Sequence, residues 1–355
     1  MKSDKKIIIL TENLGKGHIK VANVLKNEIS KQLDIEVEIL DYLGVAGKIF
    51  ENGVSYIYKN LIENFPNLYK MSYEYNDKNK PYGLIDSMIG AKLKQNLGGD
   101  LSNIIFISTF PNATAGISSL NAYKKYTVIT DYTVHGGWIY DKIDGYFVAN
   151  EKGLDTLKKH GINEKNIYIT GIPIPKEFYE KRNVRESKKM FNIDIHKKTI
   201  LIMGGGDGVI KDAINLIQSL EEEYNVIVIT GKNIKLKEKL DKIDFKNTTI
   251  LGFVENISQI MDITDIAISK SGGISMTELN AKRIPILIYN AIPGQEKGNA
   301  DFFEENKAGM QISNFNKIKI TIKHILNGKI QLDGKIVDRR YKAIDKIINI
   351  IRKDL

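Results

Sequence analysis

Along this chain, short apolar runs alternate with stretches in which apolar residues return every three or four positions. The runs Ile7 to Leu10, Val37 to Leu40, Ile104 to Ser108, Val128 to Thr130, Tyr146 to Val148 and Ile167 to Ile169 are short and rich in β-branched residues, which predicts strands. Helical spacing falls between the first two, from about Ile19 to Gln32. The second half repeats the theme, with strands expected at Thr199 to Met203, Val226 to Thr230, Thr249 to Leu251, Ile266 to Ser269 and Ile286 to Tyr289, and a helix from about Ile210 to Glu223. Strand alternating with helix means parallel sheet, so an α/β protein with two doubly wound domains is expected. The stiff segment Gly171-Ile172-Pro173-Ile174-Pro175 separates the two series and places a domain boundary near Pro175. The domains are then 1–175 and 176–337, followed by a C-terminal helix within 338–355.

One segment breaks this rhythm. Residues 44–103 open with no clear strand, and Phe50, Val54, Ile57, Leu61 and Phe65 recur at helical spacing among Tyr56, Tyr58, Tyr69, Tyr73, Tyr75 and Tyr82. A helical insertion is expected. Two readings are open: a helix packed on its own domain, or an apolar lip, with Phe50 and Tyr58 on it, that dips into a membrane or cradles a lipid tail. Interfacial tyrosines suit the headgroup layer and favour the second.

Composition narrows the setting. The chain has 355 residues, no cysteine and no apolar run of the length a bilayer span needs, so disulfides, thiolate metal sites and a membrane-crossing helix are excluded. No export signal is recognisable at the start, and a cytoplasmic location is expected. The net charge is +9, and most of the excess lies in the second half. From Lys317 onward 11 basic residues face 4 acidic ones, which is either solvated helix charge or a surface for anionic lipid headgroups. No nucleic-acid-binding module accompanies the charge, and no nucleic-acid partner is expected.

The candidate chemistry sits where predicted strands end. After the first strand, Thr11-Glu12-Asn13-Leu14-Gly15-Lys16-Gly17-His18 turns on its glycines and places His18 at a helix start. An imidazole there can act as general base, with Asp131 in reserve as base or as the group that orients His18. A dinucleotide fingerprint is the competing reading, but Lys20 stands where its third glycine belongs. Gly204, Gly205, Gly206, Asp207 and Gly208 form a second tight turn able to approach a pyrophosphate. The turn Ser271, Gly272, Gly273, with Ser275 on the helix that follows, offers backbone N–H groups to a phosphate, and Glu278 offers a carboxylate to ribose hydroxyls.

Three further groups complete the set. Phe253, Val254, Glu255 and Asn256 follow a strand, where backbone groups can pair with a base edge while Phe253 covers its ring; core packing is the alternative. The segment Asp131 to Trp138 includes His135 and Trp138 as candidate acceptor contacts, with core filling the alternative for Trp138. Most telling is Ile292-Pro293-Gly294-Gln295-Glu296-Lys297-Gly298-Asn299, where Gln295, Glu296 and Asn299 supply the amides and carboxylate that chelate sugar hydroxyls. No Asp-x-Asp occurs, so no metal and no other cofactor is expected.

These motifs, Gly15-x-Gly17-His18, Met203 to Gly208, Gly252 to Ile257, Lys270 to Glu278 and Ile292 to Asn299, resemble the monogalactosyldiacylglycerol synthase and processive diacylglycerol glucosyltransferase family, related to the peptidoglycan N-acetylglucosaminyltransferase. The resemblance implies two Rossmann-like domains facing a cleft, the GT-B architecture, with a C-terminal helix crossing back to the N-terminal domain. It implies UDP-glucose or UDP-galactose as donor and diacylglycerol as acceptor, with transfer by inversion at the inner face of a cell membrane. By likeness the Gly204–Gly208 and Ser271 turns hold the diphosphate, Val254 the uracil, Glu278 the ribose, and Gln295 with Glu296 the hexose, while Gly17 also counts among the donor-binding residues. Two alternatives remain: N-acetylglucosamine transfer to a polyprenyl-linked peptidoglycan precursor, and an NAD-binding oxidoreductase.

Overall fold

The computed structural model describes residues 4–12, 16–65, 68, 71, 74–75, 83–180, 184–191, 193–338 and 342–355. Among these, the side chains of residues 16, 58, 59, 62–64, 83, 84 and 190 are not described. The chain divides into two compact units. The first comprises Met1–Ile174, Ile292–Gln295 and Arg340–Leu355, the second Pro175–Ala291 and Glu296–Arg339.

The first unit is a six-stranded parallel sheet built from β1 (Lys6–Thr11), β2 (Glu36–Asp41), β3 (Ile104–Ser108), β4 (Lys124–Val128), β5 (Gly145–Val148) and β6 (Ile167–Ile169), in the order β2-β1-β3-β4-β5-β6. Central strands read as unbroken apolar runs because both faces are covered: Ile7, Ile8, Ile9 and Leu10 are all fully buried. Helix α1 (Lys16–Gln32) crosses from β1 to β2. The predicted break in rhythm is filled by α2 (Tyr42–Ala46), α3 (Lys48–Asn64) and α4 (Gly83–Asn96), before α5 (Pro111–Ser118) and α6 (Glu151–Lys159) restore it. Helix α4 packs closely on α5: a Cβ at Gly90 would lie 2.6 Å from the Gly116 carbonyl oxygen, so only glycine fits.

The second unit holds α7 (Val184–Met190), β7 (Thr199–Met203), α8 (Ala213–Leu220), β8 (Asn225–Ile229), α9 (Ile234–Asp241), β9 (Thr248–Leu251), α10 (Ile257–Asp262), β10 (Ile266–Ser269), α11 (Gly273–Ala281), β11 (Ile286–Tyr289), α12 (Gln295–Glu305, whose first residue Gln295 is counted with the first unit), β12 (Gly309–Ile312) and α13 (Ile318–Leu326). Its parallel strands run β12-β11-β10-β7-β8-β9. Counted within the unit this is the 3-2-1-4-5-6 pattern inverted end for end, the Rossmann order.

Strand positions follow the hydrophobic runs, with two instructive departures. Strand β4 begins at Lys124 rather than Val128, because Lys125 buries its stem while its ammonium donates to the carbonyls of Ser118 and Leu120. Strand β12 was not predicted, since Gly309-Met310-Gln311-Ile312 is short and polar at Gln311. The last helix, α14 (Ala343–Ile351), belongs to the first unit, where Ile344, Ile347, Ile348 and Ile351 are buried. Gln32 donates to Asp345 at 3.3 Å, Lys5 donates to the Asp354 carbonyl at 2.7 Å, and the Tyr126 hydroxyl donates to the Asp354 carboxylate. Tyr341, which helical spacing with Ile344, Ile348 and Ile351 puts on the same apolar stripe in the sequence, lies outside the described residues. No helix among the described residues is long and apolar enough to cross a membrane.

Candidate active site

In an open parallel sheet, the loops leaving two neighbouring strands diverge to opposite faces where the strand order reverses, and a crevice opens at their carboxyl ends. In the first unit that point lies between β1 and β3, and in the second between β7 and β10. His18 follows β1 at the first place, and the Gly204–Gly208 and Ser271 turns follow β7 and β10 at the second; the Asp131–Trp138, Phe253–Asn256 and Ile292–Asn299 segments follow β4, β9 and β11.

In the first unit, α1 brings His18 beside the carboxyl end of β3. Its Nδ1 lies 2.9 Å from the Thr109 carbonyl oxygen and 2.8 Å from the Thr130 hydroxyl. A carbonyl only accepts, so Nδ1 carries the hydrogen and Nε2 is the basic nitrogen. Phe110 meets the imidazole edge-on at 4.7 Å between centroids. Burial pushes the His18 pKa down to about 4, against the smaller upward pull of the Thr109 carbonyl. The ring is therefore neutral throughout the physiological range. Thr109 and Thr130, both buried, orient it; neither was singled out in the sequence, although each stands just past a strand. Asp131 is buried next along the chain from Thr130. Gly17 is partly exposed, whereas Asn13, Leu14 and Gly15 lie outside the described residues.

His135 caps the 3-10 turn Gly136–Trp138, its Nδ1 accepting from the Gly137 N–H at 3.2 Å. Its Nε2 lies 3.1 Å from the side-chain amide of Gln295, which belongs to the same unit. The structure thus brings His135 to a predicted sugar-binding residue. Trp138 is fully buried and belongs to the core cluster that includes Tyr42, Ile89 and Tyr146.

Two residues the sequence reading gave no role stand out near this end of the sheet. Glu12 and Asp86 are almost fully buried, and none of their four carboxylate oxygens has a hydrogen-bond partner among the described residues. Burial pushes Asp86 up to about 7, and burial with the nearby charges of Asp86 and Asp41 holds Glu12 well above the usual carboxylate range. Hydropathy could not reveal them, because an acidic residue in a loop or on a helix reads as surface.

Helix α3 and its neighbours bear on both readings of the insertion. Val54 packs against the core, but Ile49 is 91% exposed, and Phe50, Tyr56, Ile57, Phe65, Leu68, Met71, Tyr75 and Ile85 are exposed as well; on α4, Met88 is 73% exposed. The segment packs on its own unit and also presents an apolar surface. The Tyr58 side chain and residues Tyr69, Tyr73 and Tyr82 lie outside the described residues.

In the second unit the loop after β7 closes through Gly208 N–H to Gly205 O at 3.1 Å and Val209 N–H to Gly204 O at 3.3 Å. The N–H groups of Gly205, Gly206 and Asp207 stand outside that closure. Gly208 has a positive φ of 63°, and a Cβ there would sit 1.7 Å from the Thr230 carbonyl oxygen, so glycine is obligatory. Across the reversal, β10 ends at Ser269 and α11 starts after Gly272, which provides no side-chain cap. A helix start of this kind presents N–H groups and positive dipole to an anion. Gly272 and Ser275 are partly exposed, while Gly273 and Glu278 are buried.

The turn to α12 is tied to this one by three contacts. Lys270 Nζ lies 3.1 Å from Glu296 Oε1, the Ser271 hydroxyl donates to the Glu296 carbonyl at 2.6 Å, and Asn299 Nδ2 donates to the Ser271 carbonyl at 3.0 Å. Ser271 and Asn299 are fully buried, so their side chains hold the two turns together. Glu296 is partly exposed. After β9, Phe253 is 61% exposed, which rules out the core-packing alternative and leaves its ring available to a planar ligand; Val254 is partly exposed, Glu255 and Asn256 exposed.

Residues 18–174 match the family model for monogalactosyldiacylglycerol synthase, and residues 199–329 match that for the glycosyltransferase family 28 C-terminal domain. The chain is 32% identical over 341 residues to the processive diacylglycerol β-glucosyltransferase of Bacillus subtilis, an alignment covering 92% of this chain and 88% of that protein. The enzyme of the same name from Bacillus pumilus is 32% identical over 351 residues, covering 94% and 90%. Among solved structures, the UDP-GlcNAc 2-epimerase of Methanocaldococcus jannaschii, in complex with UDP-GlcNAc and UDP, aligns with a TM-score of 0.63 at 15% identity, over 98% of this chain and 99% of its own. WaaG, a glycosyltransferase involved in lipopolysaccharide biosynthesis, aligns with a TM-score of 0.58 at 12% identity, over 97% and 99%. At such identities the likeness is one of fold, and one fold carries several chemistries.

Proposed function

The chain belongs to the monogalactosyldiacylglycerol synthase and processive diacylglycerol glucosyltransferase family of UDP-sugar-dependent enzymes with the GT-B fold, and from that premise we propose that it transfers glucose or galactose from UDP to the hydroxyl of diacylglycerol with inversion, yielding a β-linked glycolipid. The observation that carries this reading is local to each unit. The reading is supported by a neutral histidine beside the strand-order reversal of the first unit and by two glycine turns, suited to an anion, at that of the second.

His18 Nε2 takes the proton from the acceptor hydroxyl, whose oxygen forms a bond to the anomeric carbon as the bond to the UDP oxygen breaks. One displacement inverts the anomeric centre and needs no covalent intermediate. A base of low pKa is weak, yet His18 is in its accepting form at every physiological pH and its tautomer is held by Thr109. The charge that grows on the departing diphosphate is met by N–H groups of the Gly204–Gly208 loop and of the α11 start, in place of a metal. Gln295 and Glu296 receive the hexose hydroxyls, Glu278 the ribose, and Phe253 with Val254 the uracil.

The exposed apolar residues of α3 and α4 suit an acceptor that lives in a bilayer. They support peripheral attachment to the inner face of the cell membrane, with rings and aliphatic chains entering the headgroup layer.

The test is direct. Purified protein is incubated with labelled UDP-glucose or UDP-galactose and vesicles containing diacylglycerol, and the lipid fraction is resolved chromatographically. A labelled glycosyl-diacylglycerol is the expected product. Transfer from neither donor, with transfer from UDP-N-acetylglucosamine to a polyprenyl-linked acceptor instead, would replace this function.

A further inference from the structure

Lys270, whose ammonium is paired with Glu296, has been given no role of its own so far. Lys270 follows β10 directly and precedes the Ser271 turn, whereas Glu296 stands in the first turn of α12, and their charged groups are 3.1 Å apart. Each side chain is only about one-fifth exposed. Shielding of this kind makes the attraction stronger than that of a solvent-exposed pair, and it raises the cost of removing one partner.

The main chain on both sides of the pair is held independently. The Ser271 hydroxyl donates to the Glu296 carbonyl, and Asn299 donates to the Ser271 carbonyl. Backbone position is therefore settled without the ion pair. What the ammonium adds is direction: a glutamate has three rotatable bonds, and without a counter-ion its carboxylate would sample several rotamers. A carboxylate that chelates two sugar hydroxyls must already point the right way, because ordering it on binding would subtract from affinity.

We propose that Lys270 is a positioning residue for the hexose, fixing the Glu296 carboxylate in the orientation that accepts hydrogen bonds from the sugar. The proposal deepens the functional reading above and rests on its assignment of Glu296 to the hexose. It differs from the simpler role that the position of Lys270 suggests, a point charge on the diphosphate. The two roles make opposite statements about UDP alone, which has the diphosphate and lacks the sugar.

Calorimetric titration of UDP, UDP-glucose and UDP-galactose into the full chain separates them. For Lys270→Met, UDP should bind within about twofold of the wild type, while the preferred UDP-hexose should lose roughly tenfold, the effect of loosening one charge-assisted hydrogen-bonding group. Lys270→Arg should restore most of that loss, since a guanidinium can hold the same carboxylate. Glu296→Gln should weaken the same ligand and spare UDP, and the double variant should be no worse than the weaker single variant, because the two residues act as one unit. If Lys270→Met weakens UDP as much as UDP-hexose, the ammonium serves the diphosphate and the proposal is wrong. Unchanged binding of all three ligands overturns it as well. A wild type that binds UDP but gains nothing from either hexose would remove the assignment of Glu296, and this inference with it. A wild type blind to UDP too would instead remove the donor reading as a whole.

Discussion

The two strand-order reversals are built on the same plan and finished in opposite ways. At the β7/β10 reversal the polar side chains between the turns have partners in the chain: Lys270 with Glu296, Ser271 with the Glu296 carbonyl, Asn299 with the Ser271 carbonyl. At the β1/β3 end, Glu12 and Asp86 are buried without hydrogen-bond partners among the described residues, His18 is held neutral, and α3 and α4 leave large apolar side chains in solvent. A buried carboxyl without a partner costs stability and responds by keeping its proton. The contrast teaches that the reversal in the second unit is held by its own side chains, whereas the first unit carries buried acids and apolar surface that a folded protein does not need for its own sake.

The sharpest way to break this comparison is His18→Ala. Turnover should fall by about 10²–10⁴-fold, the range for a lost general base, while UDP affinity stays within about twofold. Retention of most of the turnover would exclude His18 from proton transfer. The wild-type rate should also show no loss attributable to His18 between pH 8 and pH 5, because its proton is taken up only near pH 4. An acid limb near 6.5 that vanishes in the variant would contradict the buried, neutral imidazole.

Next in size is the response of stability to pH. Asp86 has a pKa of about 7 in the folded chain and an ordinary value of 3.8. Between those values the folded state holds a proton that the unfolded state releases, so the contribution is complete below about pH 4 and is lost as pH rises through 7. Asp86→Asn, which cannot ionise, should therefore be more stable than the wild type at pH 8 by ~2 kcal/mol and show a flatter profile in urea melts from pH 5 to pH 8. Glu12 acts in the same direction, so some slope should survive in the variant. A wild type that gains stability steadily from pH 5 to pH 8 would show that the pair is paired or hydrated in solution.

A smaller effect is expected from the exposed helices. Ile57→Glu combined with Met88→Glu should weaken sedimentation with anionic vesicles by ~10-fold, because apolar contact and charge both turn unfavourable, and should leave UDP binding unchanged. Equal loss in both assays would mean that α3 and α4 support the fold rather than a membrane contact. Smallest of all should be the effect of EDTA on turnover: less than about twofold if N–H dipoles alone meet the diphosphate. A rate that collapses on chelation and returns with a divalent cation would end that account.

Most of the sheet was legible because parallel strands covered on both faces must be nearly all apolar, as Ile104 to Ser108, Thr199 to Met203 and Ile266 to Ser269 are. Strand β12 was not, since four residues containing Gly309 and Gln311 carry too little pattern. The glycine turns were legible for a different reason: a backbone that approaches another as Gly208 approaches Thr230 admits no side chain. Within the site, His18, the Ser271 turn and Glu296 were visible as residue types at strand ends. The partners of His18, Thr109 and Thr130, were not, because both are ordinary in type and distant from it in sequence, and the pairing of Lys270 with Glu296 was not, although Lys270 stood within a recognised motif.

By itself, then, the sequence determined the succession of strands and helices, the location of the tight turns and the kind of chemistry their side chains can offer, all of which are local consequences of periodicity and stereochemistry. Only the tertiary structure decided which nitrogen of His18 is basic, that Phe253 faces solvent while Trp138 fills the core, and that Glu12 and Asp86 are buried acids. Protonation and exposure depend on what surrounds a group in space, and for these residues the surroundings come from strands and helices far along the chain.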